Sequence, residues 1–413
     1  MSARNANAVS AGRDVFSVAW LVLRETVRSF PKNNNFQVAA TLAYYGFFSL
    51  TPLLLLVLIL LGRFTLSSRE VLEGISSITQ QVLPQFNEVI LKEISALAVQ
   101  RTWGWVSMAA LLWAVTPLSS SLRAAFTQIF RSERKHNFLQ AKLYTLAGAG
   151  SILSLFVILV ASKLAIGLWE GTVSAPAGIP EWKWLAFAVS FPVGVLFIVL
   201  LTFVFCPVRL SWFERLAGAL VTASLLFVIR PLFALVLRFN PNYGYAFGSL
   251  KAIFLLTVWI YYSFVVILLG AELMANLRRR DALLLRGLFL AARPRTGEVP
   301  GPLRRFLRLC AEGETIFREG AAGSEMYYVV SGRVKIEKNG KPVREYGPGE
   351  YFGEMAMLLD ESRTASATGS APETNLIAIS RSNFDTLLRD NPSIVTGVLK
   401  EMARRLQVTT AQL

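Results

Sequence analysis

Between Phe352 and Ala367 the chain reads FGEMAMLLDESRTASA, the stretch whose residue types and spacing are best suited to chemistry. Gly353 precedes a carboxylate, Glu354, followed by Met355 and Ala356; a guanidinium, Arg363, comes nine residues after Glu354, with Thr364 and Ala365 behind it. A phosphate diester with one negative charge and two free oxygens is satisfied by backbone donors at the start of a short helix plus one guanidinium. Glycine at 353 lets the backbone approach such a group closely. This is recognition rather than turnover, because no nucleophile, base and oxyanion donors can be assembled from the sequence. His136 stands alone, and Cys206 and Cys310 show no paired spacing. No metal site, disulfide framework or catalytic residue is expected.

The elements that must hold these residues follow from the local period. From Gly313 onward, short alternating runs are separated by glycines: TIFREG, MYYVVSG, RVKIEKNG, KPVREYGPG and TNLIAIS, with corners at Gly320, Gly323, Gly332, Gly340, Gly347 and Gly349. They predict an antiparallel, jelly-roll-like β-barrel over residues 303–413. Helices are expected at Leu303–Leu309, Arg381–Asp390 and Ser393–Gln407.

The rest of the chain is of another kind. The protein is 54% hydrophobic and 17% charged, with a mean hydropathy of +0.47. That is too apolar for a wholly soluble chain and too charged for one embedded throughout. Residues 296–413 hold 15 Lys+Arg and 15 Asp+Glu, so the net +15 comes from residues 1–295, with 27 basic and 12 acidic residues. The cations sit in short clusters between long apolar runs, without interleaved aromatics, which argues against nucleic acid as a partner.

Crossing ~30 Å of hydrocarbon takes ~20 apolar helical residues. Six windows qualify: Val38–Leu61, Trp103–Leu122, Leu143–Leu168, Trp184–Val208, Leu216–Leu237 and Ala252–Asn276. Cation-rich loops at Arg131–Lys142, Arg209–Arg215 and Arg278–Arg280 place both termini in the cytoplasm. Asp14–Phe30 has Val15, Val18, Ala19, Val22 and Val27 near one face and reads as an interfacial helix; Leu66–Gln100 reads as an outer cap. Domains are therefore expected at 1–280 and 303–413, joined by a basic, proline-containing linker at 281–302. Charges inside apolar windows demand a partner, a cavity or a snorkelling route. Lys163 and Lys251 are placed to snorkel. Arg230, just before Pro231, suits a polar cavity or a pairing at a helix bend, and Glu272 suits helix packing or the same cavity.

Two resemblances now become visible. AATLAYYGFFSLTP at Ala39–Pro52, TQIFRSER at Thr127–Arg134 and YGYAFGSLKAIFLLTVWIYYSFVVILLGAEL at Tyr243–Leu273 resemble the BrkB/YihY family of bacterial inner-membrane proteins. The resemblance covers nearly all of residues 15–280 and implies six membrane helices with cytoplasmic termini. Members have carried the label ribonuclease BN, but no pair of carboxylates or histidines here is arranged for phosphodiester cleavage. Some members are linked to envelope lipid movement. Phe352–Ala367, with the preceding MYYVVSGRVKI pattern, resembles the phosphate-binding cassette of the cyclic-nucleotide-binding domains. That resemblance implies that Glu354 accepts from a ribose 2′-hydroxyl, that Arg363 pairs with the cyclic phosphate, and that Thr364 adds a phosphate contact. Serine at Ser362 departs from the family's frequent proline. A lid over the base falls to Val398, Met402, Arg404 or Arg405.

Joined, the halves imply a transporter or lipid-handling protein of the bacterial inner membrane, regulated by cAMP or cGMP through the Arg278–Pro302 connection, and not an enzyme. The alternatives are a cyclic-nucleotide-gated channel, which lacks a TVGYG-like filter here, and a membrane-bound nucleotide sensor that transports nothing. Expected partners are a cyclic purine nucleotide and membrane lipids; a homo-oligomer is left open.

Overall fold

The computed structural model describes residues 2–64, 76, 105–132, 137–172, 182–239, 251–290 and 301–410. The chain divides into two compact units, one of Thr26–Ala275 and the other of Met1–Glu25 with Asn276–Leu413.

The apolar unit is built from helices α2 (Asn35–Phe64), α3 (Trp105–Ile129), α4 (Phe138–Thr172), α5 (Trp182–Phe205), α6 (Trp212–Phe239) and α7 (Lys251–Arg278). The described residues of the six windows fall on these helices, apart from 206–208, which follow the end of α5. Among the described residues, four stretches are long and apolar enough to cross a membrane: Asn35–Val57, Leu139–Ile158, Trp212–Leu235 and Ile253–Arg278. Ser190–Phe205 is a shorter apolar helix. Pro52, Pro117, Pro192 and Pro231 lie inside α2, α3, α5 and α6, as is tolerated where neighbouring helices and hydroxyls satisfy the freed carbonyls. Small residues set the closest helix contacts. A Cβ at Gly270 of α7 would collide with Thr222 of α6, and one at Gly218 with Met274. Such positions allow backbones to approach. Large apolar side chains also face outward, among them Phe48, Trp113, Leu143, Trp212 and Val228, as a lipid-facing surface requires. The outer stretch Leu66–Gln100 lies outside the described residues apart from Ser76, as do His136 and the side chains of Lys163 and Lys251.

In the second unit the strands form two four-stranded antiparallel sheets. They are β1 (Leu307–Ala311), β2 (Thr315–Phe317), β3 (Glu325–Ser331), β4 (Val334–Lys338), β5 (Lys341–Tyr346), β6 (Tyr351–Phe352), β7 (Ser366–Gly369) and β8 (Glu373–Ser380). One sheet is ordered β1-β8-β3-β6 and the other β2-β7-β4-β5. The helices α9 (Glu354–Leu359), α10 (Arg381–Asp390) and α11 (Pro392–Thr410) complete the domain. Met326–Val330 in β3 are all buried, because both faces of the strand are covered. Tyr327 and Val329 point into the space between the sheets, with Cys310, Ile316, Val334 and Leu376. Met326, Tyr328 and Val330 alternate to the other face, against the helices.

Two expectations are corrected here. Leu303–Leu309 is not a helix: a 3₁₀ segment at Gly301–Phe306 gives way to β1, whose residues pair with β8 from Leu307↔Ile377 to Ala311↔Glu373. The alternation of LRLCA, with Cys310 buried between exposed neighbours, suits an edge strand. The first part of 281–302, which the sequence allows to continue as a helix along the membrane surface, is helical but packs into the core of the C-terminal domain. Helix α8 (Arg280–Leu290) follows α7 after a single turn residue, Arg279. Its Ala282 and Leu285 are buried in the same core as Met326, Tyr328, Phe384 and Ile394. Phe289 lies 6.1 Å from Phe384, ring centre to ring centre. An α8 sequence of ALLL and LFL is apolar on most of its surface, so it folds against the sheet rather than standing free. Residues 291–300 lie outside the described part.

The helix expected at Asp14–Phe30 lies within a longer α1, Ser2–Lys32. Its exposed apolar stripe is Val15, Phe16, Trp20, Leu23 and Val27, while Val22 turns inward and is buried. The anticipated face was therefore partly misassigned, since Phe16, Trp20 and Leu23 carry the stripe. Glu25 of α1 accepts two 2.9 Å hydrogen bonds from the Arg286 guanidinium of α8.

Candidate functional site

The β6–α9 junction brings the FGE residues together with a buried guanidinium. Phe352 is buried between the sheets, stacked at 5.5 Å on Tyr327 and within 6 Å of Phe317 and Tyr346. That anchors the strand from which Gly353 turns. Gly353 has φ 79°, a left-handed conformation that favours glycine, and caps the first turn of α9. Glu354 opens that helix and is buried, as are Ala356 and Met357, while Met355 stands half-exposed. The first-turn N–H groups of a helix lack intrahelical partners, so they face the space beyond Gly353.

Arg363 returns to this space from the loop after α9. Its backbone is held by paired bonds, Arg363 N–H to Ala321 O and Gly320 N–H to Arg363 O, both 2.8 Å. The side chain is 5% exposed. Nη1 donates to the Gly353 carbonyl at 2.6 Å and Nη2 to the Glu325 carbonyl at 2.7 Å. The guanidinium carbon lies 4.2 Å above the Phe317 ring. Nε is buried and has no hydrogen-bond partner. Burial pulls the pKa of Arg363 below its usual value, partly offset by Tyr327, Glu325 and Glu354. A guanidinium stays charged in proteins, so the site holds a cation that backbone carbonyls orient but do not neutralise.

Glycines make the room. A Cβ at Gly353 would lie 2.7 Å from Nη1 of Arg363, and one at Gly323 would press on Nε and the guanidinium carbon and lie 2.6 Å from Nη2. Gly323 has no positive φ, so it is needed for space rather than for a turn. Sequence reasoning took it for a corner and missed its role, along with the aromatic floor of Phe317 and Tyr327. The nearest signal was that two glycines, 320 and 323, flank a strand-poor segment.

The structure thus brings Phe352, Gly353, Glu354, Met355, Ala356 and Arg363 to one site. Thr364 is exposed and Ala365 half-buried directly after Arg363. Among the lid candidates, Val398 and Met402 pack into the helix-side core and Arg404 is exposed; the side chain of Arg405 is not described. The two membrane candidates separate. Arg230 lines a cavity between helices α3 to α7. Glu272 does not. It is fully buried and accepts from the Ser29 hydroxyl at 2.7 Å, Asn33 Nδ2 at 3.0 Å and Asn35 Nδ2 at 3.1 Å. Its carboxylate clamps the α1–α2 turn onto α7. No cluster of three or more metal-ligating side chains occurs among the described residues.

Sequence comparison assigns both halves. The profile described as Virulence factor BrkB matches residues 26–287. The chain belongs to the BrkB family. The profile of the cyclic nucleotide-binding domain matches residues 307–391. A BrkB-family membrane domain is therefore fused to a cyclic nucleotide-binding domain. The BrkB domain is similar to a UPF0761 membrane protein of Photobacterium profundum, 29% identical over 261 residues, covering 60% of this chain and 78% of that protein. The C-terminal domain is similar to a CRP-like cAMP-activated global transcriptional regulator of Mycobacterium tuberculosis, 34% identical over 106 residues, 24% of this chain and 47% of that protein. A crystal structure of the Thermus thermophilus catabolite activator protein shares 32% identity over 26% of this chain and 52% of that chain, with a TM-score of 0.24. The chain spans about half the length of the transcription regulators it matches. The BrkB match runs past α7 to residue 287, into α8.

Proposed function

We propose that the C-terminal domain binds a 3′,5′-cyclic purine nucleotide, cAMP or cGMP, and that binding regulates a transport or lipid-handling activity of the BrkB domain in the bacterial inner membrane. In this reading α2 to α7 are six spanning helices, both termini are cytoplasmic, and the protein is not an enzyme. The observation that carries it is the buried Arg363, whose Nη groups are aimed by two carbonyls while Nε has no partner. A buried charge with incomplete hydrogen bonding is costly until an anion meets it. A cyclic phosphate supplies the charge and two oxygens, the first turn of α9 supplies N–H donors, and Glu354 is placed to accept from a ribose hydroxyl.

Regulation needs a physical connection. Met357 of α9, Leu285 of α8 and Val398 of α11 share one buried core. A ligand that resets α9 therefore acts on the packing of α8, the helix that continues from α7 after Arg279. It can shift the BrkB domain only if the nucleotide binds two arrangements of this core with different affinity.

Titration calorimetry on the purified chain tests the assignment. Arg363→Ala should weaken cyclic-nucleotide binding by well over tenfold, since losing a charged partner of a buried anion costs ~2–5 kcal/mol. Equal affinities in wild type and variant would overturn it. For the topology, a cysteine at Ser76 should be labelled from outside and one at Ser132 should not; the reverse pattern would invert the protein.

A further inference from the structure

The BrkB domain holds a partly open cavity of about 350 Å³ between α3, α4, α5, α6 and α7. Its walls are apolar side chains such as Leu155, Phe197, Phe227 and Trp259, with two serines and one charge, Arg230. Of the serines, Ser263 spends its hydroxyl on the carbonyl of Trp259 at 2.9 Å. The Arg230 guanidinium lies 5.6 Å from the Phe227 ring centre, and among the described residues no acidic side chain lines the cavity. Ligand sites commonly hold ~300–1,000 Å³, so this space is at the small end of that range.

The charge stands at one end. Helices α5 and α6 are joined by the short segment 206–211 and run antiparallel. At ~1.5 Å per residue, Arg230 is about 27 Å along α6 from Trp212, and Ser190 about 22 Å back along α5 from Phe205. The lining continues from that level toward the joined ends, through Ala223 on α6 and Leu201 on α5, over roughly 16 Å of helix. A cation inside a membrane helix is expensive and marks a pathway or a ligand. An elongated apolar space under a single guanidinium matches a molecule with an apolar tail and an anionic head.

We infer that this cavity takes the acyl chain of an anionic amphiphile, with the carboxylate or phosphate of its head paired to Arg230. The inference names a substrate class for the proposed transport or lipid-handling activity and rests on that reading.

The test uses the full chain in a neutral, non-ionic detergent with no nucleotide present. Three brominated amphiphiles of equal chain length are titrated: a fatty acid, a lysophospholipid with a phosphate monoester head, and the uncharged methyl ester of the fatty acid. Bromine quenches indole fluorescence on contact, and Trp259 forms part of the wall; Trp259→Phe isolates its share from the chain's nine tryptophans. Saturable quenching of Trp259 by the carboxylate or the phosphate compound is expected, at least about tenfold tighter than by the ester. Arg230→Gln should erase that preference while leaving ester binding unchanged, which also shows the variant is folded, and Arg230→Lys should restore part of it. The arm that binds tighter tells a free fatty acid from a phosphate-headed lipid. Equal binding of ester and anions, or anion binding untouched by Arg230→Gln, overturns the inference. A failure here leaves nucleotide binding at Arg363 standing, and a failure at Arg363 leaves the cavity result standing.

Discussion

Replacing Gly323 by alanine adds one methyl group, changes no charge, and should still disable the nucleotide site. The backbone accepts alanine here because φ is not positive. A stiffer unfolded chain contributes only ~0.4–1 kcal/mol, less than the ~1.5–3 kcal/mol of a hydrogen bond to a charged group, so displacing the buried guanidinium should also lower the melting temperature. The new Cβ would lie 2.6 Å from Nη2 of Arg363, where ordinary contacts fall at 3.4–4 Å. Nε and the guanidinium carbon would lie closer still, so the guanidinium must retreat by at least about 1 Å, which takes the 2.7 Å bond from Nη2 to the Glu325 carbonyl beyond hydrogen-bonding distance. A hydrogen bond to a charged group is worth ~1.5–3 kcal/mol. If the displaced group meets the phosphate with one aligned bond fewer, affinity should drop roughly 10- to 100-fold, at ~1.4 kcal/mol per tenfold. Calorimetry with cAMP and cGMP reads the affinity, and thermal melting reads the stability. In a double-mutant cycle, adding Gly323→Ala to Arg363→Ala should cost nothing further, because the glycine acts only through the arginine. A Gly323→Ala protein that binds like wild type would refute the reasoning, as would a full additive loss in the cycle.

Three further outcomes are expected. Leu285→Ala should destabilise the nucleotide-binding domain by ~2–5 kcal/mol, because Leu285 of α8 is fully buried in its core; melting of the full chain checks this, and an unchanged transition would mean α8 is no part of that domain. A Gly-Ser insertion after Arg279 should leave nucleotide affinity intact and abolish any nucleotide effect on the BrkB domain, read by site-directed spin labels on α7; an undiminished effect would exclude the α7–α8 connection as the route. Cys310 is buried, and burial, with the charge of Glu314, raises its thiol pKa. Its share of stability is therefore present below the ordinary thiol pKa of ~8.5 and is lost as the pH climbs from there through the raised value. Alkylation of the folded protein at pH 7 should spare Cys310, and prompt labelling without unfolding would contradict its burial.

The proposed nucleotide site was largely legible in its grouping of residues, because its parts are close in sequence. Gly353, Glu354 and Arg363 lie on one short helix and the loop behind it, so their spacing alone indicates an anion site. Glycines at 320, 332, 340 and 349 do adopt positive φ, as turn chemistry requires. Gly323 and Phe317 were not legible as parts of the site, because what they do depends on where Arg363 arrives from a different segment. β1 was missed for a similar reason: five residues of weak alternation become a strand only by pairing with β8.

Taken alone, the sequence determined that an apolar, basic part precedes an electrically neutral β domain, that the first is helical, and that the second holds a glycine, a carboxylate and a guanidinium within one short segment. Run length, period and charge are local properties, and they are read without knowing which segments meet. Tertiary structure decided the rest. It assigned α8 to the nucleotide-binding domain's core and made Glu272 a clamp on the α1–α2 turn, while it set Arg230 alone at one end of an apolar cavity. Arg230 and Glu272 look alike in sequence, each the one charge within its apolar window, Leu216–Leu237 or Ala252–Asn276. Their difference lies in the partners that folding brings to them: three neutral donors from a distant turn for the carboxylate, and for the guanidinium an aromatic ring and a space large enough to hold a ligand.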